Sequence, residues 1–265
     1  SNMLFTNIIE VIQDTIEGSD YSLRVHYLDE DADEVKEAVR MCREHKPMGI
    51  LFLGGNIQYF HEEFELVNVP CVLVTDRADK LGFRNLASVS TDDMAAAEMA
   101  VDYLFDHGHR DIAVIGGDMA LSSPSKYRKA GAKRSFIKHG CEFEEESYAV
   151  ARFSYESAYN AMNRMLASQR SITAVFAMSD VMAVGAMRAI FDAGLRVPED
   201  ISVIGFDGTL LADYYNPKIV TVCQGYEKIA RKSIDLLFGM IDLNKPATHE
   251  LVPFSLKNTE SVSSI

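Results

Sequence analysis

The chain has 265 residues, 48% of them apolar, and a formal charge of −13 from 39 acids against 26 bases. That length and apolar fraction suffice for one large α/β domain or two lobes of ordinary size. The acidic balance argues against this segment gripping a phosphate backbone, which takes clustered Lys and Arg that release counterions, while the lack of a long apolar run or of an N-terminal signal pattern argues against a membrane span and against export.

The first dense feature in chain order is the acidic run Asp29-Glu30-Asp31-Ala32-Asp33-Glu34. Its Asp-x-Asp-x-Asp opening invites a calcium-loop reading, but position six is Glu34 rather than Gly and position twelve is Arg40 rather than Glu. A helix N-terminus is the better reading, with acids at the positive end of the dipole and Arg40, Arg43 and Lys46 at the other. Short apolar runs then recur at Ile50–Leu53, Cys71–Val74, Ile112–Ile115, Ala174–Ala177 and Ile201–Ile204. Bounded by Gly, Pro or polar residues, they read as buried strands. Between them the periodicity predicts a helix from about Asp92 to His107, burying Ala96, Met99, Ala100, Tyr103 and Leu104 and stopped by Gly108. A second helix runs from about Asp180 to Ala193 before Gly194, and a third ends at Gly140. Strands alternating with helices over short connections imply parallel sheets covered on both faces.

The four cysteines, Cys42, Cys71, Cys141 and Cys223, show no CxxC spacing, so free thiols in a reducing cytoplasm are expected. His107 and His109 form a close pair without further ligands nearby, so no metal site is expected.

In parallel α/β sheets ligands sit beyond the carboxyl ends of the strands. That rule selects Gly54-Gly55-Asn56, Asp76-Arg77, Gly116-Gly117-Asp118, Met178-Ser179-Asp180 and Gly205-Phe206-Asp207. No phosphate loop, dinucleotide fingerprint or nucleophile elbow accompanies them. No nucleophile, base and orienting group can be assembled from the sequence either. The strand ends therefore read as a binding site without bond-making chemistry: no enzyme and no cofactor is expected.

Three segments carry a resemblance. The fullest runs from Ala174-Val-Phe-Ala-Met-Ser-Asp-Val-Met-Ala-Val-Gly through Val197-Pro-Glu-Asp-Ile-Ser-Val-Ile-Gly-Phe-Asp207. The second is Phe153-Ser-Tyr-Glu-Ser-Ala-Tyr159; the third is Ser88-Val-Ser-Thr-Asp-Asp93 followed by Gly108-His-Arg-Asp-Ile-Ala-Val-Ile115. Together they resemble the effector-binding region of lactose/galactose-repressor-type transcription regulators, in the family's order and over almost the whole chain. The resemblance implies a periplasmic-binding-protein-like α/β fold of type I: two parallel-sheet lobes joined by crossovers, with a ligand cleft between them. It places residues 1–91 and about 224–250 in the first lobe and 92–223 and about 251–265 in the second. It also implies a cytoplasmic homodimer sensing a small polar effector, a sugar by the family's habit. Operator DNA would be met only through a helix-turn-helix headpiece, and nothing in this chain matches one.

The same resemblance implies site residues. Asp207 accepts hydrogen bonds from ligand hydroxyls and Arg128 donates to the ligand, a pairing that suits a polyol. Phe5 and Phe153 fall where family members set rings against the ligand. Asp76 and Ser179 lie at strand ends lining the cleft, Gln224 lies by a crossover where it would report closure, and Tyr226 is a further candidate. Asp180 is expected to be a helix cap rather than a ligand group. The chain departs from the family pattern at Gly208, where a second acid or Asn is usual, and at Ser179 and Asp93, where Asn is common. The family's first strand, which would precede the Phe5 segment, has no counterpart, so a perturbed first lobe or a gap filled by a partner chain is expected. The alternative function on this fold is a solute-binding protein of a sugar transporter.

Overall fold

The computed structural model describes residues 3–29, 32–168 and 171–265. Its elements run α1 (Met3–Ile16), α2 (Glu34–His45), β1 (Ile50–Leu53), β2 (Cys71–Val74), β3 (Leu86–Thr91), α3 (Asp93–Asp106), β4 (Ile112–Gly116), α4 (Ser123–Lys138) and β5 (Tyr148–Val150). They continue through α5 (Tyr155–Ala167), β6 (Ala174–Ala177), α6 (Asp180–Asp192), β7 (Ser202–Asp207), α7 (Leu210–Tyr214), β8 (Val220–Cys223), α8 (Tyr226–Leu243), β9 (His249–Val252) and β10 (Ser255–Lys257). The five apolar runs of the sequence become strands β1, β2, β4, β6 and β7, all paired in parallel. The α/β class and the periplasmic-binding-protein-like architecture hold.

Two sheets form. The first has the order β1-β2-β3-β9 and is parallel throughout; the second has the order β10-β8-β7-β6-β4-β5. Only β10 departs from parallel, pairing antiparallel with β8 at the edge. The chain passes between the sheets after β3, after β8 and after β9. The last crossing falls later than the 251 boundary of the sequence reading, because Leu251 and Val252 pair with Ser90 and Thr91 in the first sheet.

Amphipathic helices cover the sheet faces. α1 and α8 lay Leu4, Ile8 and Ile12 against Ile229, Ile234 and Leu237 over one face of the first sheet. The other face buries Phe52, Phe60 and Phe64 beneath α2. The second lobe holds a larger core built on α3 to α6 and β4 to β8. Helix starts follow capping chemistry. Asp33 accepts from the Val35 and Lys36 N–H groups at the start of α2, and Asp92 accepts from Ala95 at the start of α3. The acidic run thus opens a helix through Asp33, with Arg43 and His45 in the last turn; Glu30 and Asp31 of that run lie outside the described residues.

Two glycines set how closely helices approach. A Cβ on Gly131 of α4 would stand 2.1 Å from the Met94 carbonyl oxygen of α3, and one on Gly185 of α6 would stand 2.3 Å from the Tyr155 carbonyl oxygen of α5. Backbone cannot yield as a side-chain tip can. Gly131→Ala and Gly185→Ala should each lower stability by about 1–3 kcal/mol through forced separation of the helix pair. Denaturant unfolding checks this, and an unchanged midpoint for either variant contradicts it.

The first sheet is the smaller, with four strands among the described residues and β1 at its edge. Residues 21–29 pass without forming a strand and leave Tyr27 79% exposed.

Candidate ligand site at the facing strand ends

The loops that follow strands of the two sheets touch each other. Asn56, after β1, donates its Nδ2 to the Ala120 carbonyl oxygen, after β4, at 3.4 Å. Asp76, after β2, lies close enough to Ser123 and Arg128 of α4 to feel both. Thr91, at the end of β3, donates its hydroxyl to Gln224 Oε1, after β8, at 3.2 Å. The strand ends singled out by position are therefore brought to one place.

Arg128 is the centre of that place. It lies in the second turn of α4, which Ser122 caps, and is only 4% exposed. Its Nε donates to Asp93 Oδ1 at 2.7 Å and its Nη1 to the Met178 carbonyl oxygen at 2.6 Å. Its guanidinium carbon stands 3.8 Å from the centre of the Phe206 ring, a cation–π contact strengthened by desolvation. Arg128 is thus a buried charge and not a solvated one at a helix start. Asp93 is free to pair because its neighbour Asp92 does the capping.

Asp207 ends β7, is 3% exposed and has a φ of +115°. That conformation favours glycine, so the surroundings hold this side chain in place at a conformational cost. Its Oδ1 accepts from Gln224 Nε2 at 2.7 Å. Burial pushes its carboxyl well above the usual carboxylate range, against the pull of Arg128. Gln224 thus links the end of the second sheet to Thr91, where the chain first crosses over.

Asp76 is 1% exposed. Its Oδ1 accepts from the Arg77 N–H at 2.7 Å, while its Oδ2 makes no hydrogen bond. Burial pushes its carboxyl up to about 7; the Arg77 N–H opposes this and Asp93 reinforces it. The guanidinium of the adjacent Arg77 pairs with Asp79 at 3.0 Å and not with Asp76.

Phe5 and Phe153 occupy corresponding posts in the two lobes. A Cβ on Gly54, just past β1, would lie 2.7 Å from Phe5 Cζ; one on Gly117, just past β4, would lie 2.9 Å from Phe153 Cε2. Each half-buried ring rests on a glycine at a strand end, where any larger residue would displace it.

One expectation is corrected. Asp180 is not the cap of α6; Ser179 is, accepting from the Met182 N–H at 3.1 Å. Asp180 instead accepts from Thr209 N–H, Thr209 Oγ1 and Thr221 Oγ1, at 2.7, 2.8 and 2.6 Å. This internal knot ties α6 to the ends of β7 and β8, and burial pushes the Asp180 carboxyl to about 6. Tyr226 opens α8 and packs against the core of the first lobe. Among the described residues no hydrogen bond or ion pair joins Tyr226 to the Arg128 cluster.

The sequence reading did not anticipate the pairing of Asp93 with Arg128 or the bed that Phe206 makes for the guanidinium. The signal for the first was two adjacent acids, Asp92 and Asp93, where one suffices as a cap. The second had none, since an aromatic within a buried strand reads as core. Among the described residues no cluster of three or more His, Cys, Asp or Glu is suited to a metal, and no helix is long and apolar enough to cross a membrane. His109 spends its ring nitrogens on Thr173 Oγ1 and the Ser263 carbonyl oxygen.

Comparison with known proteins bears on the whole chain. The periplasmic binding protein-like domain family matches residues 101–262. The HTH-type transcriptional regulator MalR of Clostridium butyricum is 32% identical over 269 aligned residues, spanning 100% of this chain and 79% of that regulator. A crystal structure of an uncharacterized protein from Actinobacillus succinogenes superposes with a TM-score of 0.89 at 26% identity, covering 99% of this chain and 95% of that one. A LacI family transcriptional regulator from Enterococcus faecium, solved with bound ribose, superposes with a TM-score of 0.84 at 21% identity, covering 100% of this chain and 96% of that one. With the two-sheet architecture, the facing strand ends and a relative aligned along the whole of this chain, the protein belongs to the lactose/galactose-repressor family of transcriptional regulators, as a periplasmic-binding-protein-like effector domain.

Proposed function

We propose that this domain senses a small polar effector, of the sugar class, held between the two sheets, and that binding biases the lobes toward a closed arrangement read by a DNA-binding partner domain. The observation that carries this is the buried cluster of Arg128, Asp93, Asp76 and Asp207, drawn from both lobes, with the Phe5 and Phe153 rings set at a strand end of each lobe. Arg128 commits Nε and Nη1 inside the protein, which leaves Nη2 for a ligand hydroxyl. Asp207 Oδ2 would accept from a second hydroxyl, and the rings would cover the apolar faces of a pyranose or furanose. Asp76, Ser179 and Gln224 complete the lining in this reading, with the Ser179 hydroxyl hydrogen remaining to donate. Gln224 would register closure, because it joins Asp207 to the first crossover. The ribose held by the Enterococcus faecium regulator supports the sugar class. The relatives found are regulators, which disfavours the transport alternative.

A calorimetric screen of pentoses, hexoses, disaccharides and nucleobases tests the reading. At least one sugar should bind, and Asp207→Ala should weaken that binding at least about tenfold through loss of a buried hydrogen bond. An intact circular dichroism spectrum separates this from unfolding. Binding unaffected by Asp207→Ala removes that residue from the site. The homodimer implied by the family is tested by sedimentation equilibrium, and the relay by operator binding of the regulator with and without the sugar. A ligand moves such an equilibrium only through its differential affinity for the two arrangements.

A further inference from the structure

Charge in the cluster does not balance. One guanidinium, Arg128, is shared among three buried carboxyl groups, Asp93, Asp207 and Asp76. It pairs directly with Asp93. Asp207 is answered by the neutral Gln224 amide. Asp76 has one backbone N–H on Oδ1 and the Ser123 hydroxyl nearby, and its Oδ2 makes no hydrogen bond. The Ser90 hydroxyl, near the end of the neighbouring strand β3, is likewise buried without a hydrogen bond. Asp180 is satisfied by its threonine knot, and Arg77 is spent on Asp79. A buried carboxylate oxygen without a donor is costly to the folded chain, and it is retained where a ligand supplies the donor.

We propose that the ligand of this cleft carries a protonated amine beside its hydroxyl groups, an amino sugar or amino polyol, with the ammonium seated against Asp76. The proposal rests on the reading of the cleft as a ligand site and adds the charge class of its occupant. An ammonium brings three donors and one positive charge, which matches the unpaired Asp76 Oδ2 in a cluster that sets a single guanidinium among three acids. A phosphorylated or carboxylated sugar adds like charge to three acids and is disfavoured. A neutral sugar leaves the Asp76 carboxyl either protonated or uncompensated, so it binds more weakly than its amino counterpart.

The test is a set of matched pairs at neutral pH by titration calorimetry: glucose with glucosamine, galactose with galactosamine, mannose with mannosamine, and glucose 6-phosphate and glucuronate as anionic controls. The expected result is that one amino sugar binds at least about tenfold more tightly than its neutral partner, with no binding of either anion. In Asp76→Asn the ratio of amino-sugar to neutral-sugar affinity should fall to about twofold or less, whatever the change in the neutral sugar's own affinity. A neutral sugar binding as tightly as its amino partner overturns the proposal alone, and so does a preference that survives Asp76→Asn. Failure of every compound here and in the wider sugar and nucleobase screen overturns the reading of the cleft as well.

Discussion

Arg128→Met should destabilise the folded domain by about 3–5 kcal/mol, because it strands the Asp93 carboxylate in the interior without its partner. Arg128 and Asp93 are both about 5% exposed at the side chain, so solvent does little to screen or replace the lost contact. The variant also forfeits the hydrogen bond to the Met178 carbonyl oxygen and the stacking on Phe206. For a chain of this size such a loss lowers the melting temperature by roughly 6–20 °C. Adding Asp93→Leu should recover most of the loss, since an apolar pair of similar volume costs no charge burial. That recovery is the discriminating measurement. If the double variant is no more stable than Arg128→Met alone, the single variant fails through lost packing rather than through an unpaired carboxylate.

Asp76→Asn should gain stability relative to the unsubstituted domain as pH rises. The folded-state pKa of Asp76 is about 7, above its ordinary 3.8. A raised folded value means that the contribution of the group is fully present below about 4 and is lost as pH climbs through about 7. Asparagine has no proton to lose and escapes that penalty. The difference between variant and parent should be near zero at pH 4 and grow to a few kcal/mol by pH 8, with about 4 kcal/mol as a ceiling from the shift. Asp93, Asp180 and Asp207 are also raised by burial and act in the same sense in both proteins. His109 and His249 are lowered by burial, and their contribution is lost in the opposite direction, as pH falls through the range near 6.5. Glu145, drawn down to about 2 by Lys129 and Lys133, likewise loses its contribution as pH falls. All but Asp93, whose charge acts on Asp76, are common to the two proteins and cancel in the comparison. Denaturant melts of both at several pH values measure the difference. A difference that stays flat from pH 4 to pH 8 shows that Asp76 is not held in the state described.

Much of the frame was legible along the chain because it follows from local patterning. Apolar runs such as Cys71–Val74 and Ala174–Ala177 are short and bounded, and a buried parallel strand is the one common structure that uses them. The glycine at 108 stops α3 because it takes the left-handed conformation, and it does so here with φ +95°. Small departures came where pairing depends on distant partners. β9 continues through Val252 because Thr91 is there to receive it, and β10 turns antiparallel on β8. Neither fact is written in the residues of those segments.

For the site, the sequence determined which residues stand at the carboxyl ends of strands, and hence that Asp76, Asp207 and their neighbours would collect beyond two sheets. It determined the helix caps nearly as well, erring by one residue between Ser179 and Asp180, because either side chain can accept from the first turn and only the pull of Thr209 and Thr221 decides between them. The tertiary structure alone decided how the charges are shared. Arg128 and Asp93 are 35 residues apart and Asp207 and Gln224 are 17 apart, and long-range juxtaposition fixes which carboxyl receives the guanidinium and which is left with neutral donors. The underlying reason is that a backbone pattern is set by nearest neighbours, while the protonation and partnership of a buried carboxyl depend on every dipole and charge within several ångströms, whatever their place in the chain.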